Sequence, residues 1–175
     1  MNADDAVSHY TQLAAETRLQ RGADEPRWLE ERRASALASF TAGGFPTRKQ
    51  EGWRYTSLDK LLTQTFATPR EPAYRISQKS ISSLRTTDAE AVRLVFCDGH
   101  LVEALSDINK LPEGIVVGRL YDRLASPSKQ VSEQLDRLFA NDNEAFDYIN
   151  TTLAEDGLWL EVEANVSLER PIEVI

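Results

Sequence analysis

The 175 residues include one cysteine, Cys97, one methionine and two histidines, His9 and His100. A single cysteine closes no intrachain disulfide, which agrees with a reducing compartment. Two histidines without a Cys-x-x-Cys or His-x-x-x-His partner fall short of the convergent donors that a metal site requires, so packing or surface roles are expected for both. No apolar run approaches the length that spans a bilayer, and no charged-then-apolar leader is present; a cytoplasmic protein without membrane contact is expected. Positive charge is also scarce. Twenty Lys and Arg face 28 Asp and Glu, for a net charge of -8, which argues against a general binder of nucleic-acid phosphates. A phosphate-cradling loop is missing too: Gly43-Gly44 has neither the preceding strand nor the lysine spacing of a nucleotide site, so no ATP binding is expected.

What is present suits one domain with a moderate core, at 41% hydrophobic and 27% charged residues. Asp4 or Asp5 can cap a first helix with Val7, Tyr10, Ala14 and Thr17 at helical spacing and Gly22 at its end. After Asp24 a second helix is expected, with Pro26 in its first turn, Trp28 at its start, and a stripe of Leu29, Ala36, Leu37 and Phe40 before Gly43-Gly44. Its charge run Glu30, Glu31, Arg32 and Arg33 reads as a solvated face. Ser57 can cap a turn through Leu58, Leu61 and Leu62, an extended loop is expected from Thr63 to Tyr74, and Ile76 to Leu84 forms a short helix. The period then changes. Val92, Leu94 and Phe96 alternate with Arg93, Val95 and Cys97, and Asp98-Gly99 is a two-residue hairpin turn into Leu101-Val102. Pro112-Glu113-Gly114 turns the chain into Ile115-Val116-Val117, expected as a third strand beside that hairpin. Helical spacing returns at Val131, Leu135, Leu138 and Phe139 after Ser128, and at Phe146, Ile149 and Leu153 after Asn143, with Gly157 closing the last helix.

Between the second helix and this region lies a segment of unusual chemistry, Phe45 to Leu58. Two large aromatics, Trp53 and Tyr55, stand among Arg48, Lys49 and Arg54. The rings can cover apolar surface while the cations pair with carboxylates or stack. A structural buckle is the favoured reading, ahead of a docking surface for another subunit and of an anion site, for which no catalytic group is at hand. Elsewhere, Cys97 lies in an expected strand and reads as a buried structural thiol. Asp142, Asn143 and Glu144 could be mistaken for a calcium loop, but their place before Phe146 suits helix capping.

The residues Phe45, Pro46, Thr47, Arg48, Lys49, Glu51, Trp53, Arg54, Tyr55 and Thr56 resemble the N-terminal signature of the SufD family, scaffold components of the SUF iron-sulfur cluster assembly machinery. The hairpin Val95 to Val102, Leu111 to Ile115, Leu153 to Leu160, and Leu168 to Ile172 are similar to that family in the same order. Departures are confined to Gln50, Gly52 and Ser57. The resemblance implies a right-handed parallel β-helix following this region, then a helical C-terminal part. It also implies pairing with SufB, engagement of the SufC ATPase, and an iron-sulfur cluster associated with the full complex but with no cofactor in these residues.

The expected fold class is therefore α+β: N-terminal helices over about 1-44, the signature loop 45-58, and a small mixed sheet with helices over 59-156. Residues 157-175 would then begin the β-helix, since Leu158, Leu160 and Val162 alternate, Asn165 and Pro171 break, and Val166, Leu168, Ile172 and Val174 resume. Such rungs depend on neighbouring rungs, so the sequence reads as a fragment of a longer protein. A non-catalytic scaffold is expected, with a homodimer through open strand edges also possible. The alternative is the N-terminal domain of a β-helix enzyme, carbohydrate-active or acyl-transferring, whose paired acids would lie in later rungs.

Overall fold

The computed structural model describes residues 3–21, 25–68, 76–86, 90–108, 111–124, 129–139 and 144–175. Gly22, Asp24, Pro69, Pro72, Ser128, Asp142 and Asn143 lie outside the described residues. The chain groups into two units, each assembled from two stretches: 1–68 with 124–154, and 69–123 with 155–175. Together they give a mixture of helices and small sheets, an α+β fold, with no closed barrel among the described residues.

The first unit is helical. α1 (Ala3–Arg21) carries Asp4 and Asp5 in its first turn and Arg18 and Arg21 in its last, the charge order that the helix dipole favours. α2 (Arg27–Gly43) starts from Pro26, whose carbonyl accepts from the Leu29 and Glu30 amides at 2.9 and 3.1 Å. It stops at Gly44, where φ of 62° reverses the chain and the Gly44 amide bonds the Phe40 carbonyl at 2.7 Å. α3 (Asp59–Leu62) and α6 (Lys129–Phe139) are as the spacing suggests. α7 (Ala145–Leu153) packs chiefly on α2. It ends at Leu153, so Gly157 does not close it; Gly157 precedes a strand and its carbonyl accepts from the Leu120 amide at 2.8 Å. The core is aromatic: Ala6, Phe40, Phe45 and Ala145 are buried, with Tyr10, Phe146 and Ile149 packed against them. Burial raises the Tyr10 phenol above its ordinary value of 10.0.

Arg33 corrects the reading of a solvated charge run. It is buried, on the stripe of Leu29, Ala36 and Phe40. Its guanidinium donates to Glu25 Oε1 at 2.8 Å and to the Thr151 and Thr152 carbonyls at 2.8 and 3.2 Å. Arg21 adds a bond to the Thr152 carbonyl at 3.0 Å. The last carbonyls of a helix lack intrahelical donors, so two arginines complete the end of α7.

The second unit contains α4 (Gln78–Leu84), with Ser77 as its N-cap, and α5 (Leu120–Leu124), together with three two-stranded ladders. β1 (Val92–Leu94) runs parallel to β6 (Ile172–Val174). β2 (Phe96–Cys97) and β3 (His100–Leu101) form the expected hairpin, with Asp98 and Gly99 at φ of 51° and 85° as a primed turn needs. The alternation slips once, because Leu94 and Val95 are both buried where β1 gives way to β2.

Ile115 to Val117 lies in β4 (Ile115–Arg119), which does not flank the hairpin; it pairs antiparallel with β5 (Leu158–Val162) over five residues. The side of β1 where a third strand would lie is occupied. Ser106 Oγ accepts from the Val95 amide at 2.9 Å, and the Asp107 amide donates to the Arg93 carbonyl at 2.7 Å. Those backbone groups are thus satisfied without another strand. The two C-terminal strands likewise pair with earlier strands, β5 with β4 and β6 with β1, rather than with each other. Between them Asn165 turns the chain at φ of 67°. Gly114, at φ of 83°, leaves no room for a side chain: an added Cβ would sit 2.6 Å from Val166 Cγ2.

Candidate functional site

The segment from Phe45 to Leu58 belongs wholly to the first unit. Its first residue, Phe45, is a core residue, with its ring 5.1 Å from Phe40 and 5.7 Å from Phe146. From there the chain is held by successive turns. The Gln50 amide bonds the Thr47 carbonyl at 2.9 Å, Glu51–Trp53 forms one turn of 3-10 helix, and the Thr56 amide bonds the Trp53 carbonyl at 3.0 Å. Arg48 Nε donates to the Arg54 carbonyl at 3.3 Å and braces the turn from inside the loop.

Trp53 makes the long-range fastening. Its indole N–H donates to Glu144 Oε2 at 2.8 Å, and its ring lies 5.5 Å from Phe146 at an interplanar angle of 31°. Glu144 occupies the N-cap position of α7, yet its side chain makes no capping bond there. The place of Glu144 before Phe146 suits capping, but its side chain reaches Trp53 instead. No local signal could name it as the partner of Trp53, because 91 residues separate the two.

Tyr55 departs from the expectation of two rings covering apolar surface. It is 89% exposed, with the Arg54 guanidinium carbon 5.6 Å from its ring centroid. Thr47, Arg48, Lys49, Glu51, Arg54 and Thr56 are exposed, and Pro46 is half-buried. The loop therefore has two faces. Phe45 and Trp53 fasten it, while Arg48, Lys49, Arg54 and Tyr55 are displayed. Beside the displayed residues is a hollow of about 600 Å³ lined also by Phe45, Leu58 and Leu62. It offers cationic donors over an apolar floor, chemistry suited to binding rather than bond breaking.

The other candidates are dispersed. Cys97 is buried in β2, with Sγ 3.8 Å from Asp98 Oδ2. His9 Nε2 lies 2.8 Å from the Phe66 carbonyl oxygen, and His100 is half-buried in β3. Among the described residues, no three His, Cys, Asp or Glu side chains are grouped to hold a metal ion. No described helix is long and apolar enough to cross a membrane.

The family model for the SufBD protein N-terminal region matches residues 4–174. The chain belongs to this family. Within the SufBD match fall the whole signature loop, α7 with Glu144, and the six strands of the described residues. Over 71 residues, 41% of the chain, it is 45% identical to the iron-sulfur cluster assembly protein SufD of Escherichia coli K12, of which the match covers 16%. Over 130 residues, 74% of the chain, it is 25% identical to an iron-sulfur cluster assembly SufBD family protein of Synechocystis, covering 28% of that protein. The matched part of this SufBD region thus spans less than a third of either relative. Both relatives are named for iron-sulfur cluster assembly.

Proposed function

We propose that this chain is the N-terminal region of a SufD-like, non-catalytic scaffold subunit of a cytoplasmic iron-sulfur cluster assembly complex. The observation that carries the reading is the family match across residues 4–174, joined to the assembly role for which both relatives are named. In the whole protein the chain leads into a right-handed parallel β-helix that pairs with a SufB-type subunit, and a C-terminal region engages a SufC-type ATPase. The parallel direction of the β1–β6 pair supports that continuation. The cluster is cargo of the assembled complex, and this region contributes packing and a surface for partners. The loop is its buckle, because Trp53 joins the chain after α2 to the start of α7.

The test is affinity purification of the tagged full-length protein from its own cells. Recovery of an ABC-type ATPase together with a second SufBD-type subunit is the expected result. Recovery of neither overturns the proposal, and sugar binding by the purified protein would favour a β-helix enzyme instead.

A further inference from the structure

Arg48, Lys49 and Arg54 line the hollow whose floor includes Phe45, Leu58 and Leu62. Among the described residues the only carboxylate along the same lining is Asp59, so three cations face one anion there, in a chain of net charge -8. Among the described residues none of the three cations forms an ion pair, whereas Arg27, Arg93, Arg119 and Arg170 each do. An acidic chain has carboxylates in excess, yet among the described residues none is ion-paired with these three cations.

The loop is also fixed in advance. Phe45 sits in the core, Trp53 is bonded to Glu144, and Arg48 is braced on the Arg54 carbonyl. A preformed surface loses little freedom when a partner binds. Exposed Tyr55 beside Arg54 adds the two residue types most enriched at interface hot spots, apart from tryptophan.

We propose that this groove docks an acidic segment of a partner protein, with carboxylates on Arg48, Lys49 and Arg54 and an apolar side chain over the floor. A small inorganic anion would use the cations and leave the floor wet. A nucleic acid would meet the repulsion of the whole acidic chain. The inference rests on the loop's own geometry and does not depend on the assembly reading.

The experiment titrates the full chain into a short fluorescein-labelled peptide of glutamates and aspartates around two central leucines, read by anisotropy. Saturable binding is expected. The Lys49→Glu, Arg54→Glu double variant, which leaves Arg48 in place, should weaken it about tenfold, since exposed ion pairs are individually modest and here act together. Lys79→Glu, at an exposed lysine of α4, should leave it unchanged. A peptide with serines for the leucines should bind several-fold more weakly. Circular dichroism and the thermal midpoint verify that the variants keep the fold. The proposal is overturned by absence of saturable binding to the wild-type chain, by equal weakening from Lys79→Glu, by full affinity of the double variant, or by equal affinity of the serine peptide. Displacement of the peptide by an equal concentration of inorganic phosphate would also overturn it, by showing a site for any small anion.

Discussion

The helical unit and the stranded unit solve the same problem with different chemistry. In the first, rings fill the centre: Tyr10, Phe40, Phe45, Phe146 and Trp53 meet at centroid distances of 5.1 to 6.3 Å. In the second, buried carboxylates act as fasteners. Glu173, its side chain 5% exposed, accepts from the Thr86 amide and hydroxyl at 2.7 and 2.9 Å and from Arg93 Nε at 3.1 Å. Asp156 accepts from Arg119 Nε at 2.6 Å and from the Tyr121 and Gly157 amides at 3.1 and 2.8 Å. Helices satisfy their own backbone groups and can bury apolar side chains freely. Ladders of two to five residues leave edge amides and carbonyls that side chains must satisfy. Arg33 obeys the same rule inside the helical unit, because helix ends are where helices resemble strand edges.

Replacing Arg33 should therefore have the largest effect. Arg33→Met fills the volume but leaves Glu25 without its closest cation and the Thr151 and Thr152 carbonyls without their Arg33 donors. Breaking a buried pair on one side costs about 3–5 kcal/mol. Urea unfolding gives the total, and hydrogen exchange should show the loss at α7 before β1. A cost below about 1 kcal/mol would mean that Arg21 alone serves the helix end, and the parallel between helix ends and strand edges would fail.

Much of the framework was legible because it is local. Helical spacing located α1, α2 and α7, the short helix expected over Ile76 to Leu84 is α4, and Asp98-Gly99 located the hairpin. Arg33, expected on a solvated face, is buried instead. It lies four residues after Leu29 and three before Ala36, so the spacing of the stripe included it and only its charge argued for solvent. The strand partners were not legible. β1 meets β6 across about 80 residues of sequence, and nothing near Val92 indicates that Ser106 and Asp107 cover its other side. At the candidate site, residue types pointed to the loop, but they could not divide it. Trp53 and Tyr55 look alike in sequence, yet one is fastened to Glu144 and the other is displayed.

A smaller effect tests the stranded side of the comparison. Glu173→Gln keeps an oxygen for Thr86 but removes the charge that Arg93 meets, at a position within the β1–β6 ladder. A hydrogen bond to a charged group contributes about 1.5–3 kcal/mol, so a loss of about 2 kcal/mol is expected. Hydrogen exchange should rise first at Val92 to Leu94. Unchanged stability would show that the ladder is held by its apolar residues, as the helical unit is, and the contrast between the units would disappear.

The smallest effect belongs to the fastening of the loop. Trp53→Phe retains an aromatic ring against Phe146 and deletes the N–H that Glu144 accepts. Because Trp53 is only half-buried, water can replace part of what is lost, and a cost of about 1 kcal/mol is expected. Glu144→Ala and the double variant complete a cycle that isolates the pair from the lost ring area. Coupling near 1 kcal/mol would make the indole bond an energetic fastener between loop and α7. Coupling near zero would leave Phe45 and the backbone turns as the whole attachment, and the helical unit would then depend on rings even where a polar bond is drawn.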